Sequence, residues 1–214
     1  MKTLTKEMQA EVTPQMALDI LKEGNMRFVN NLRVNRNLIE QANETSDGQH
    51  PFAVILSCID SRTSAELIFD QGLGDVFSIR IAGNIINEDI LGSMEFGCKV
   101  AGSKIIVVLG HSKCGAVKGA CDHVELGHLT SLLTKLSPAV NSEQSITENR
   151  NSDNGEFVEK VAAINVKQAV ESIKKRSSIL NELLENGQIG IVGGYHDITT
   201  GQVIFYPETM VINS

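Results

Sequence analysis

The sequence contains no tryptophan, and its aromatic residues are limited to seven phenylalanines and two tyrosines among 214 residues. So few rings argue against a surface on which nucleic-acid bases or sugars stack. No apolar run approaches the roughly 20 residues that a membrane-spanning helix requires. The composition therefore disfavours both a stacking platform and an integral membrane protein.

Basic residues are also in the minority, with 19 lysines and arginines against 26 acidic residues and a formal charge of −7. A nucleic-acid groove would need clustered positive charge, and the one dense basic run, residues 174–176, falls on a helical pattern and is most simply a solvated face. The first seven residues lack the apolar core and cleavage site of a secretory signal. We therefore expect a cytoplasmic protein that binds neither nucleic acid nor membrane.

Only four cysteines are present, and no two of them form a Cys-x-x-Cys pair. The absence of that pair argues against a thiol redox protein. In a cytoplasmic protein, isolated cysteines are more often free thiols or metal ligands than disulfides.

The hydrophobic pattern alternates between buried strands and amphipathic helices, which is typical of a mostly parallel sheet covered by helices. It predicts one α/β domain with four to five strands, placed at residues 52–57, 76–81, 104–109, 189–192 and 203–206. Helices are expected at residues 14–29, 63–69, 88–100, from about 114, and 157–185 with a break near 177–178.

Three further features complete the predicted architecture. Thr13 and Pro14 form a helix start within an N-terminal helical arm at residues 1–35, and Thr63 with Glu66 forms a possible capping box. Residues 35–50 are polar and turn-forming. Residues 137–156 are rich in serine, asparagine and glutamate and are expected to form an exposed loop.

Two short segments carry the chemistry. Cys58 follows the first predicted strand, and His111-Ser112-Lys113-Cys114 follows the third. Ligands bind at the carboxyl ends of parallel strands, and thiolate plus imidazole is a donor set that zinc prefers. Three protein ligands rather than four leave a position for water, which points to a catalytic zinc. Taken singly, each cysteine could be a core thiol and the histidine a hydrogen-bonded loop residue.

Asp60 and Arg62 lie within two and four residues of the first candidate ligand. The Asp60 carboxylate could reach the metal or its water, and an adjacent guanidinium would lower the pKa of that carboxylate. The simpler alternative is an ordinary loop salt bridge.

The motif Cys-x-Asp-x-Arg at 58–62, the segment 80–84 (Arg-Ile-Ala-Gly-Asn) and His-x-x-Cys at 111–114 resemble, in this order, a β-class carbonic anhydrase. The resemblance covers roughly residues 14–206. It implies one zinc ion on Cys58, His111 and Cys114, with Asp60 and Arg62 as the catalytic dyad. The implied reaction is reversible hydration of CO2 to bicarbonate and a proton by zinc-bound hydroxide, in a homodimer or homotetramer.

The resemblance also implies the plant-like subtype of this family, because Gln49 stands nine residues before the first ligand and Phe77 nineteen after it. The other subtype uses a tryptophan in an inhibitory bicarbonate pocket, and this chain has none. Phe96 stands where the plant-like pattern has a pocket tyrosine, and Ala82 stands where that pattern has a valine. With the backbone near Gly115, these residues form the implied substrate pocket.

Other functions remain open at this stage. The same zinc scaffold could hydrolyse CS2 or COS, or it could be a non-catalytic zinc or bicarbonate-binding module. The presence of both Asp60 and Arg62 disfavours the non-catalytic module. The remaining histidines, including His196, are candidates for a proton shuttle by residue type alone.

Overall fold

A computed structural model describes residues 3–213, and in it a single five-stranded sheet has the order β2-β1-β3-β4-β5. Four strands are parallel, and β5 runs antiparallel to β4 at one edge. The mostly parallel sheet predicted from the sequence is confirmed. The strands are β1 Ala53–Ser57, β2 Val76–Arg80, β3 Ile105–His111, β4 Gly190–His196 and β5 Val203–Val211.

Helices connect the parallel strands and cover both faces of the sheet. They are α1 Lys6–Glu11, α2 Pro14–Val29, α3 Leu38–Glu44, α4 Ala65–Ile68, α5 Glu88–Glu95, α6 Gly115–Cys121, α7 Gly127–Thr134, α8 Ser137–Ser142, α9 Gly155–Arg176 and α10 Ser178–Glu185. A short 3-10 turn, Ala82–Asn84, follows β2, and a π-helical turn, Phe96–Val100, extends α5. Between residues 3 and 213, no helix combines the length and apolar character needed to cross a bilayer.

The neighbouring central strands β1 and β3 are buried along their whole length. One face of the sheet packs against α2 and α4, and the other against α5, α9 and α10. Burial on both faces explains why these strands are continuous apolar runs rather than alternating ones. The sheet therefore holds its carboxyl-end residues on a rigid, fully packed support.

The N-terminal region is more ordered than its composition indicates. As predicted, Thr13 caps α2 by accepting the Met16 N–H, and α2 packs its apolar face on the sheet. Residues 35–50 are not simply turns, because α3 occupies Leu38–Glu44 and Asn37 caps it by accepting the Glu40 N–H. Residues 1 and 2 of the predicted arm lie outside the described part of the chain.

The exposed loop predicted at residues 137–156 is wrong for its first part. Helix α8 fills Ser137–Ser142 and buries Ala139 and Val140. The Arg150 guanidinium then donates to the carbonyls of Val140, Glu143 and Ile146 and lies 4.6 Å from the centre of the Phe157 ring. A polar composition predicted solvation here, but Arg150 supplies three of the hydrogen bonds that fold the segment back on the protein.

The predicted break in the last long helix is confirmed at Ser177. This residue ends α9, and its hydroxyl accepts the Leu180 N–H to start α10. Helix 88–100 is shorter than predicted as an α-helix, because the backbone changes to the π-helical turn at Phe96.

Candidate metal centre

Three buried side chains meet near the carboxyl ends of the neighbouring strands β1 and β3. Cys58 follows β1, His111 is the last residue of β3, and Cys114 precedes the first residue of α6. Strands β1 and β3 are hydrogen-bonded neighbours, with Ser57 opposite Leu109. The ligand atoms of the three residues all lie within 4.8 Å of one another. The sheet thus brings together two segments that are 53 residues apart.

The geometry of the three donors fits a tetrahedral metal ion. The Cys58 and Cys114 sulfurs are 4.0 Å apart, close to the roughly 3.8 Å expected for two thiolates on one tetrahedral zinc. The His111 Nδ1 lies 2.9 Å from the Ser112 carbonyl oxygen, to which it donates. The opposite nitrogen, Nε2, is buried and has no hydrogen-bond partner among residues 3–213. The hydrogen bond from Nδ1 to the Ser112 carbonyl fixes the tautomer in which Nδ1 carries the proton. The lone pair of Nε2 can therefore bind an ion.

The two thiols influence each other strongly. The Cys114 thiol and the Gly83 N–H (3.3 Å) both stabilise a Cys58 thiolate, and this lowers the pKa of Cys58 to about 4 despite burial. The pKa of Cys114 is raised, because the Cys58 sulfur and burial both disfavour a second thiolate. A divalent cation between the sulfurs would remove that penalty, since metal ligation requires both thiols to be deprotonated.

Asp60 and Arg62 form a two-pronged ion pair beside this centre. The Arg62 Nε lies 2.9 Å from Oδ1 of Asp60, and the second guanidinium nitrogen lies 2.7 Å from Oδ2. The pKa of the Asp60 carboxyl lies far below its usual value, mainly because Arg62 hydrogen-bonds to the ionised form. Asp60 is therefore a carboxylate held in a fixed orientation.

The turn that carries Asp60 is fixed by backbone contacts that the sequence did not predict. The Arg80 side chain donates to the carbonyls of Cys58 (3.0 Å) and Asp60 (2.7 Å). The Thr63 hydroxyl lies near the same two carbonyls, and so the predicted capping box is wrong. Helix α4 begins at Ala65 after Ser64, without a side-chain cap.

The predicted pocket residues fall into two groups. Ala82 begins the turn whose next residue, Gly83, donates to the Cys58 sulfur, and Gly115 directly follows Cys114 with open space around it. Gln49, in contrast, precedes β1 while Cys58 follows it. A five-residue strand separates them by roughly 17 Å at about 3.3 Å per residue.

Phe77 and Phe96 contact each other rather than the metal centre of their own chain. Their rings meet edge to face at 6.0 Å. Phe77 pairs with Val54 in β1, three positions before Ser57 at the carboxyl end, which is about 10 Å back along the strand. Phe96 is 52% exposed. Within one chain, neither ring is brought to the three candidate ligands.

A buried histidine lies on the neighbouring strand. His196 is paired with His111 across β3 and β4, and neither of its ring nitrogens has a partner within the described chain. Burial, together with the nearby His111, lowers the pKa of His196 to about 4. The lowered pKa favours the uncharged form of His196 at neutral pH.

Comparison with known proteins identifies the arrangement. A family model described as carbonic anhydrase matches residues 53–203, which include all three candidate ligands and the Asp60–Arg62 pair. The chain belongs to the carbonic anhydrase family. Its fold is that of the β class, because the β-carbonic anhydrase CafA of Aspergillus fumigatus superposes with a TM-score of 0.70 at 26% identity, covering 90% of each chain.

Two mycobacterial relatives extend the match over nearly the whole chain. The carbonic anhydrase of Mycolicibacterium smegmatis is 34% identical over 196 residues, covering 89% of this chain and 92% of the relative. Carbonic anhydrase 2 of Mycobacterium tuberculosis is 34% identical over 197 residues, with the same coverage. The family resemblance predicted from the paired motifs is confirmed.

Proposed function

We propose that this carbonic anhydrase converts CO2 and water to bicarbonate and a proton at a zinc ion held by Cys58, His111 and Cys114. The observation that carries the proposal is the meeting of three buried soft donors beside a fixed, ionised Asp60. Two sulfurs and one imidazole nitrogen favour zinc among the common divalent ions. Bound zinc would make a coordinated water acidic enough to serve as the nucleophile near neutral pH.

Asp60 would orient the attacking water. Its Oδ2 accepts one bond from Arg62, and a carboxylate oxygen can accept two, so one acceptor position remains for the water. Because Arg62 keeps Asp60 ionised, the carboxylate stays an acceptor throughout the neutral range. Arg62 acts here through Asp60, whose side-chain angle it fixes.

The pairing of Asp60 with Arg62 also supports the plant-like, open form of the site. A carboxylate that is held by two guanidinium nitrogens and a backbone N–H has fewer acceptor positions left with which to bind a metal. The Gly115 N–H lies in the first turn of α6, where no intrahelical acceptor is available, and we infer that it donates to an oxygen of the product. Ala82 would contribute apolar wall beside the CO2 carbon.

The remaining pocket residues are supplied, in our proposal, by a second copy of the chain in a homodimer or homotetramer. Gln49, Phe77 and Phe96 are remote from the metal centre of their own chain, and Phe77 lies on the edge strand β2. A second copy against this edge would cover the exposed Phe96. The thiol usage of the chain favours a cytoplasmic location for this assembly.

A subunit-mixing experiment tests the second copy. Cys58→Ser chains lack a ligand but keep Gln49, and Gln49→Ala chains have the opposite defect. If Gln49 acts across the interface, chains that are mixed and refolded together should regain roughly a quarter of wild-type activity, since half of randomly formed dimers hold one intact site. No recovery from the mixture would show that Gln49 does not act across the interface.

Metal analysis with a CO2 hydration assay tests the reaction itself. We expect one zinc per wild-type chain, and Asp60→Asn should retain the zinc but lose most of the activity. The exposed Asp153→Asn is the matched control and should behave as wild type. Full activity in Asp60→Asn would remove the dyad from the mechanism. Zinc without CO2 hydration would favour the alternatives, with CS2 and COS hydrolysis assayed on the same preparation.

A further inference from the structure

The loop between the second and third candidate ligands contains a backbone conformation that its sequence does not favour. Lys113, between His111 and Cys114, has a φ of 56°. This left-handed region is costly for a residue with a side chain and is adopted readily only by glycine. Such conformations persist where neighbouring groups determine them, often at functional sites.

The two residues of this loop are held by different elements. Ser112 is fixed by the β4–β5 connection, because its N–H donates to the His196 carbonyl and its hydroxyl accepts the Ile198 N–H, both at 3.0 Å. The N–H of Lys113 donates instead to Oε1 of Glu159, at 3.1 Å. Glu159 lies on α9, which packs against β3.

We propose that Glu159 is a positioning residue that holds Lys113 in its left-handed conformation, so that His111 and Cys114 face the same ion. The proposal rests on the zinc site described above and assigns a new part of the chain to it. The angle at Lys113 determines where the chain goes after His111, and hence where the Cys114 sulfur lies. A carboxylate acceptor makes the bond to this N–H stronger than a neutral one would.

Three substitutions distinguish the hydrogen bond between Glu159 and the Lys113 N–H from a general effect of the negative charge of Glu159. Glu159→Gln keeps a carbonyl oxygen as the acceptor but removes the charge, whereas Glu159→Ala removes both. Lys113→Gly removes the conformational cost, so a chain with this change should no longer depend on the Glu159 contact. Glu156→Ala is the matched control, because Glu156 lies about one turn earlier on α9 and forms an exposed ion pair with Lys160.

The measurement is the zinc dissociation constant of the purified full-length chain, obtained by competition with a chromogenic chelator. Glu159→Ala should bind zinc about tenfold more weakly, the low end of the effect of losing an outer-shell partner. Glu159→Gln and Glu156→Ala should stay within about twofold of wild type. Lys113→Gly/Glu159→Ala should recover most of the lost affinity. Thermal unfolding verifies that each variant is folded.

Three results would overturn the positioning role. They are wild-type affinity in Glu159→Ala, an equal loss in Glu159→Gln, and no recovery in the double variant. If Glu159→Ala does not fold, the zinc affinity of Lys113→Gly tests the proposal instead. Glycine adopts the left-handed conformation without strain, so a tenfold loss of affinity in Lys113→Gly would contradict the positioning role. A wild-type chain that binds zinc but does not hydrate CO2 would remove the proposed function and leave the affinity differences as support.

Discussion

Gly83 is the position where a single methyl group should disturb both the fold and the metal centre. Its φ of 66° lies in the left-handed region, and a Cβ there would lie 3.0 Å from Cδ1 of Leu136 and 3.3 Å from Cβ of Ala116. Its N–H donates to the Cys58 sulfur at 3.3 Å. Gly83→Ala must therefore either accept the strain or rotate the peptide away from the sulfur.

The expected magnitudes follow from these two routes. A non-glycine residue in the left-handed region costs about 1–2 kcal/mol, which lowers the midpoint of thermal unfolding by roughly 2–8 °C for a chain of this length. The contacts with Leu136 add little, because the end of its flexible side chain can move. If the peptide rotates, loss of a partner to a metal ligand weakens zinc binding by about 10- to 100-fold.

The assay is thermal unfolding together with chelator competition for zinc, on Gly83→Ala and on Gly92→Ala. Gly92 lies in α5, where an added Cβ would meet no atom within 4 Å, and alanine there should stabilise the helix by up to about 1 kcal/mol. Wild-type midpoint and affinity in Gly83→Ala would refute the reasoning. A lowered midpoint with unchanged affinity would show that the chain accepts the strain and keeps the Gly83 N–H on the Cys58 sulfur.

Other expectations concern pH, the dyad and the ion. Burial opposes the charge of Asp70, but ion pairs with Arg27 and Arg36 outweigh it and lower the pKa of Asp70. The Asp70 carboxylate thus binds a proton less readily in the folded chain than in the unfolded chain. Its contribution to the free energy of unfolding is therefore present above about pH 3.9 and is lost on acidification. Asp70→Asn should flatten that part of the curve of stability against pH. Arg62→Ala should lower CO2 hydration at least tenfold with zinc content unchanged, since it frees the Asp60 carboxylate; unaltered turnover would contradict this. If free zinc is present at 1,000 times its dissociation constant, removing it should lower the free energy of unfolding by about 4.1 kcal/mol. The midpoint of thermal unfolding should then fall by roughly 8–16 °C, and an unchanged midpoint would argue against a buried ion. Because two thiolates leave zinc less electron-poor than three imidazoles do, activity should rise towards alkaline pH, and a flat rate profile from pH 6.5 to 9 would refute this.

The sequence predicted the parts of the fold that depend on local pattern. The buried strands, the start of α2 at Thr13–Pro14 and the break at Ser177 are all determined by neighbouring residues, and the structure confirms them. Helix α8 was missed because its order depends on packing with α9 and on Arg150, which folds back from later in the chain. Such long-range contacts leave no periodic signal.

The same distinction applies to the metal centre. Cys58, His111 and Cys114 could be predicted because Cys58 and His111 stand at strand ends, Cys114 follows His111 by three residues, and parallel strands bring their carboxyl ends together. The groups that orient them could not, because Glu159 reaches the loop from a helix 46 residues away. Gly83 lies in a recognisable motif, but only the structure places its N–H against the Cys58 sulfur.

The local energetics explain why these supporting groups should affect metal affinity more than folding. Two features are unfavourable in the protein alone: His111 Nε2, a buried nitrogen that finds no hydrogen-bond partner in the described part of the chain, and two sulfurs that resist joint ionisation. A divalent ion relieves both at once, so its binding energy depends on how closely the donors already match its geometry. Glu159 and the Gly83 N–H support that match through different ligands, on the His111–Cys114 loop and on Cys58. Their losses in zinc affinity should not simply add, because the two contacts act on ligands whose sulfurs are 4.0 Å apart and share one ion. A Glu159→Ala/Gly83→Ala chain that binds zinc no more weakly than either single variant would show that the two contacts act through one shared adjustment of the centre.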